Sequence, residues 1–201
     1  MAGDSRATRA RLLDAAFAEF AEHGLAGARV DRIAAAAGAN KRLIYVYFGN
    51  KEQLFDHVVE RCLAEGSEVV PFDVTDLPGY AGALFDHLVA RPDLMRLVAW
   101  KQLERPGATD SEAASYRTKV EALASAQAAG RVEPGIAPAD ILALTLALAQ
   151  AWFTAAGGTG ALRGADARQG ADGPQSEAFT AHRAAVIEAV RRMTSTAAPA
   201  G

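Results

Sequence analysis

The chain is 201 residues long, half of them hydrophobic, with a formal net charge of −3 and one cysteine. That length holds one compact unit or two small ones with a sizeable core, and the apolar content excludes disorder along the whole chain. The single cysteine, Cys62, excludes an intrachain disulfide and fits a reducing compartment.

The charge is unevenly spread. Residues 1–51 carry eight Lys/Arg against five Asp/Glu, a net of +3, and the remainder carries thirteen against nineteen, a net of −6. A basic N-terminal part on an acidic body fits a nucleic-acid-binding head attached to a sensory or dimerising body. Residues 1–10 contain no apolar segment that would serve as a signal peptide. The longest apolar run, 141–156, is interrupted by Thr145, Gln150 and Thr154, and it falls short of the roughly 20 residues a membrane span needs. A helix buried in protein is expected there, with no membrane partner and a cytoplasmic location.

Taken in order, residues 1–7 read as a short arm carrying Arg6. A first helix is predicted over Thr8–His23, with Leu13, Phe17 and Phe20 as its core stripe and Gly24 as its stop. Two short helices joined by a turn follow within Arg29–Lys51, RVDRIAAAAGANKRLIYVYFGNK. Val30, Ile33, Ala34 and Ala37 recur at helical spacing, Gly38 supplies a residue able to take positive φ, and Asn40 is a good N-cap for the second helix. In that helix Ile44 and Phe48 share one face, while Lys41, Arg42 and Tyr45 fall on the other. An apolar inner face opposite cations and a phenol suits a helix laid into the DNA major groove. The spacing is that of a helix-turn-helix.

Gly49 then breaks the chain, and Asn50 with Gln53 forms a capping-box pattern opening a helix to about Gly66. Residues 66–78 read as a connection. Helices are predicted over Gly79–Ala90, from Pro92 to near Pro106, and over Asp110–Ala129, the last opened by a Thr109/Glu112 capping box. Pro138–Ala156 is the apolar helix, 157–173 a glycine-rich loop, Gln175–Thr194 a final amphipathic helix and 197–201 a loose tail. The expected fold is all-α, about nine helices. Domains are expected at 1–50, the helix-turn-helix head, and 51–201, a helical ligand-binding and dimerisation body.

Enzyme signatures are missing: there is no Gly-rich phosphate loop, no GxSxG elbow and no HExxH. The four histidines are far apart in sequence and none pairs with Cys62 at a metal-binding spacing, so no catalytic residue, metal or cofactor is expected. Aromatic residues in the body suit a cavity for a flat or lipophilic effector. Trp100, Tyr116 and Trp152 are its expected anchors, with Phe85, Leu88, Leu103 and Val120 lining it.

ANKRLIYVYFGNKEQLF resembles the signature of the TetR family, in which a capped recognition helix ends in Tyr-x-Tyr-Phe and an Asn/Ser-Lys-Glu opens the next helix. RLLDAAFAEFAEHG is similar to that family's first helix. The chain departs from the pattern at Arg29, where the family usually has Thr, and at Arg42 and Leu43, where small residues are usual. It departs again at Val46, usually polar. The resemblance implies a DNA-binding set of Arg29, Asn40, Lys41, Arg42, Leu43, Tyr45, Val46, Tyr47 and Lys51, with Lys51 pointing at a phosphate and Arg42 best placed to read a guanine. It also implies pairing of the last two helices with those of a second subunit, with Val186 and Val190 at the interface. The reading is a homodimeric transcriptional regulator, a repressor released from a palindromic double-stranded operator by a small molecule. The alternative is a helical ligand-binding or enzymatic protein with a vestigial head.

Overall fold

The computed structural model describes residues 2–154 and 177–196; the predicted loop at 157–173, the tail at 197–201 and the first residues of the last helix lie outside them. Among the described residues are nine helices and no strand: α1 (Ala2–Gly27), α2 (Val30–Ala36), α3 (Arg42–Phe48), α4 (Lys51–Val69), α5 (Leu77–Ala90), α6 (Pro92–Glu104), α7 (Asp110–Ala128), α8 (Pro138–Thr154) and α9 (Glu177–Thr194). The all-α expectation is met. None of these helices is long and apolar enough to cross a membrane.

Packing divides the chain into two compact units, Met1–Glu65 with Arg91–Ala113, and Gly66–Ala90 with Ala114–Gly201. This is not the expected division at 50/51. The first unit takes in most of α4 and all of α6 because their apolar stripes complete the head's own core. Leu54, Phe55, Val58 and Val59 of α4 and Leu97 of α6 are buried with Leu12, Phe17 and Phe20 of α1 and with Ile33, Ile44 and Phe48. Phe20 and Phe55 meet edge-on, 5.0 Å between ring centroids.

Helix α1 begins at Ala2, so the predicted arm is part of the helix. The helix breaks at Gly24 (φ 67°, ψ −178°), a conformation open essentially to glycine alone, as the predicted stop requires. Trp100 fills the space that a side chain there would occupy: a Cβ on Gly24 would lie 2.8 Å from the indole Cδ2 and Cε3. Glu104, one turn on, accepts hydrogen bonds from the Leu25 and Ala26 N–H groups exposed by the break. Leu97, Trp100 and Glu104 thus form the face of α6 turned to α1. Leu103 lies on the opposite side, 76% exposed, and is not the inward residue that the sequence pattern suggested.

Both predicted capping boxes form. Gln53 N–H donates to Asn50 Oδ1 at 2.7 Å and Asn50 N–H to Gln53 Oε1 at 3.1 Å; Thr109 N–H donates to Glu112 Oε2 at 2.8 Å and Glu112 N–H to Thr109 Oγ1 at 3.2 Å. Helix α4 runs through Gly66 to Val69, because a single glycine inside a helix costs only about 1 kcal/mol. The predicted connection therefore shortens to residues 70–76.

In the second unit Leu77, Ala81, Leu123, Ile141, Leu142, Val186 and Val190 form one core, and Phe85, Ala149 and Phe179 another. Helices α5 and α9 approach closely at Gly82, where an added Cβ would come within 2.8 Å of Ile187 Cδ1. Arg183 holds Asp86 across the same pair, with Nε–Oδ1 at 2.8 Å. Gln127 Nε2 donates to the carbonyls of Glu133 (2.6 Å) and Ile136 (2.7 Å), which fixes the turn between α7 and α8. Val186 and Val190, 2% and 0% exposed, are interior residues of their own unit. They were expected at a subunit interface; the amphipathic stripe of α9 faces α5 and α8 instead.

Candidate DNA-reading surface

The turn between α2 and α3 is built by local chemistry. Gly38 takes φ 58°, and its N–H and that of Ala39 close onto the carbonyls of Ala35 and Ala34 at 3.1 and 3.0 Å. Asn40 Oδ1 accepts the Arg42 N–H at 2.8 Å, so the predicted cap is present, one residue ahead of the N-terminal flank at Lys41. Helix α3 turns Ile44 and Phe48 (0% and 3% exposed) into the core and leaves Tyr45 and Val46 at 47% and 64% exposure.

Helix α2 starts differently from expectation. Arg29 is extended (φ −121°, ψ 120°) and its side chain makes no cap. Glu19 of α1 does the work of the usual threonine: its Oε1 accepts the Arg29 N–H and the Arg32 Nε–H, each at 2.8 Å. Burial pushes the Glu19 carboxyl up, but the Arg32 guanidinium and the Arg29 N–H together outweigh it and hold the group below its ordinary range. Sequence reading missed Glu19, because its partner is ten residues away in the chain and only the α1–α2 crossing brings them together.

The expected DNA contacts differ in how free they are. Arg29 and Arg42 are exposed, and neither side chain has a hydrogen-bond or ion-pair partner among the described residues. Lys41 is held by Asp31, Nζ–Oδ1 2.9 Å, and that hydrogen bond raises its pKa. Lys51 Nζ donates to the carbonyls of Ala28 (3.2 Å) and Ala26 (3.4 Å), leaving one of its three N–H bonds for another acceptor. The Tyr47 hydroxyl is 3.0 Å from Ser5 Oγ, a pairing made possible by the helical N-terminus. Leu43 is half-buried against the core, so Val46 is the more available apolar contact.

The seven expected effector-binding residues are divided between the two units, two in the first and five in the second. Trp100 belongs to the first unit, over Gly24, and Leu103 is exposed. Phe85 and Trp152 share an aromatic cluster with Phe179 and His182, Phe85–Phe179 being 4.8 Å and Trp152–His182 5.2 Å. Leu88 is buried in α5, while Tyr116 and Val120 pack half-buried against the core of Leu77, Leu123 and Ile141. A cleft of about 630 Å³ in the first unit is lined instead by Asp56, Glu60, Glu104, Arg105, Thr109 and Asp110. Arg105 closes one wall by a two-pronged bond to Asp56, at 2.9 and 2.6 Å. Burial pushes the Cys62 thiol up to about 11, so it stays protonated at neutral pH. No group of three or more His, Cys, Asp or Glu able to hold a metal occurs among the described residues.

A capped seven-residue helix that buries one face in the core of the first unit and offers Arg, Tyr and Val on the other defines a helix-turn-helix DNA-binding protein. The model described as "Bacterial regulatory proteins, tetR family" matches residues 12–58, and "Tetracyclin repressor-like, C-terminal domain" matches 76–192. The HTH-type transcriptional repressor SCO4008 of Streptomyces coelicolor is 43% identical over 152 residues, covering 74% of this chain and 79% of that protein. The HTH-type transcriptional repressor NicS of Pseudomonas putida is 31% identical over 105 residues, about half of each chain. The crystal structure of SCO4942 from Streptomyces coelicolor, 43% identical, superposes with a TM-score of 0.75 over 93% of this chain and 98% of that one. The chain belongs to the TetR family of DNA-binding transcriptional regulators.

Proposed function

We propose that the protein is a homodimeric cytoplasmic repressor that reads a palindromic operator with α3 and releases it when a small molecule binds the second unit. The observation that carries the reading is the division of α3. Ile44 and Phe48 anchor it while Arg42, with no hydrogen-bond or ion-pair partner among the described residues, stands beside Tyr45 and Val46 on the outer face. An unpaired guanidinium on a fixed helix suits the bidentate geometry of a guanine edge, and apolar Val46 suits a thymine methyl. Arg29, Tyr47 and Lys51 then serve the phosphates on either side.

Assembly is proposed through α8 and α9. Leu144 is 46% exposed, and Ala143, Ala147, Ala181, Ala184 and Ala185 are exposed small residues on the same two helices. Small side chains let helices approach closely, as a four-helix bundle between two subunits needs. A two-fold dimer places its recognition helices for half-sites about 34–36 Å apart, one turn of DNA. Helix α4 is the proposed transmitter: it starts with Lys51 in the first unit and its last residues, 66–69, belong to the second.

A mobility-shift titration against the DNA flanking the protein's own gene tests the reading. A discrete complex that resists competition by random DNA at equal salt is expected. Weak, sequence-blind binding would make the head vestigial and leave a helical ligand-binding protein.

A further inference from the structure

Lys119 differs from every other half-buried cation among the described residues. Lys41, Arg61, Arg91, Lys101, Arg105 and Arg183 each reach a carboxylate within 3.3 Å, and Lys51 reaches two carbonyls. Lys119 has neither. Its ammonium lies over two aromatic rings of its own unit, 6.0 Å from the Phe72 centroid and 5.9 Å from that of Tyr116. Phe72 in turn meets Tyr80 edge-on at 5.1 Å. Tyr80 is 6% exposed, and its hydroxyl has no hydrogen-bond partner among the described residues. Burial pushes Lys119 down; burial and the neighbouring Tyr116 push Tyr80 up. Ring faces only partly replace the water an ammonium gives up, so the group still lacks an anion.

We propose that Phe72, Tyr80, Tyr116 and Lys119 form the anion-recognising end of the effector site, and that the effector is a small amphiphilic monoanion. Its carboxylate or sulfonate meets the Lys119 ammonium and the Tyr80 hydroxyl, and its apolar body lies against the rings and the half-buried Val74 and Val120. This rests on the reading that the second unit binds a small molecule. A cationic effector is disfavoured, because the ammonium already occupies the ring faces and repels like charge. One lysine balances one negative charge, which favours a monoanion over a phosphate-rich ligand.

The test is fluorescence titration of the full chain with anilinonaphthalene sulfonate and with its neutral parent, phenylnaphthylamine. The sulfonate is expected to bind the wild type saturably, one per chain, and more tightly than the neutral amine. Lys119→Met is expected to weaken the sulfonate at least about tenfold with the neutral probe unchanged, and Lys119→Arg to restore most of the loss. Circular dichroism confirms folding, and Lys119→Gln replaces the Met variant if that one fails. Equal binding of the sulfonate by wild type and Lys119→Met overturns the anion site but leaves a ligand-binding second unit. A wild type that prefers the neutral amine overturns the monoanion class. Failure of both probes to bind saturably removes both the anion site and the ligand reading beneath it.

Discussion

The indole of Trp100 covers Gly24 so closely that no other residue fits at the break in α1, a Cβ there lying 2.8 Å from two ring atoms. Backbone and packing act together. The φ/ψ pair at Gly24 is costly for any L side chain, and the space is already filled. Gly24→Ala should therefore destabilise the first unit by about 2–5 kcal/mol, the sum of backbone strain and overpacking. Urea denaturation measures it; a loss below about 1 kcal/mol would mean that the indole is not seated on the glycine.

Glu19 makes the head sensitive to acid. Its carboxyl is held below its ordinary value of 4.5 in the folded chain, so it contributes stability above that pH and loses it as pH falls through the lowered value. Glu19→Gln should cost about 1 kcal/mol at neutral pH, the usual worth of a helix cap. The gap between variant and wild type should close as pH drops below 4.5 and through the lowered value. Melting curves at the two pH values check this, and a pH-independent difference would remove the ionised carboxylate from the account.

Arg42→Ala should lose about 1–3 kcal/mol of discrimination between the operator and a sequence altered at one base pair. Competition binding at fixed salt reads the ratio directly. If affinity falls equally for operator and random DNA, Arg42 touches only phosphate.

Lys51 has two tasks. Its bonds to the Ala26 and Ala28 carbonyls tie α4 to the end of α1, and its remaining N–H is proposed to meet a phosphate. Lys51→Ala should lower the slope of log affinity against log salt by about 0.9 and cost about 1 kcal/mol of stability. A stability loss with an unchanged slope would leave Lys51 a purely internal tie.

The dimer is best tested at Leu144. Leu144→Glu places a charge on an exposed face of α8, so the fold should survive while sedimentation shows a monomer. Val186→Glu puts an uncompensated charge into the unit's own core and should unfold the chain rather than split the dimer. A folded, dimeric Leu144→Glu variant would move the interface elsewhere.

The sequence by itself determined the elements whose causes are local. The stretch from Arg29 to Lys51 is readable because its apolar period, the positive-φ glycine at Gly38, the Asn40 cap and the Asn50/Gln53 box all act over a few residues. The two-sided nature of α3 follows from the same period, and so did the buried Ile44 and Phe48. What the sequence left open depended on partners distant in the chain. Glu19 replaces the missing cap at Arg29 only because α1 crosses α2. Trp100 is seated over Gly24, and Lys51 bonds backward to the end of α1. Val186 and Val190 are core rather than interface, because an amphipathic helix shows which face is apolar and not which neighbour covers it. Tertiary packing alone decides that, since burial is non-directional and any complementary apolar surface satisfies it.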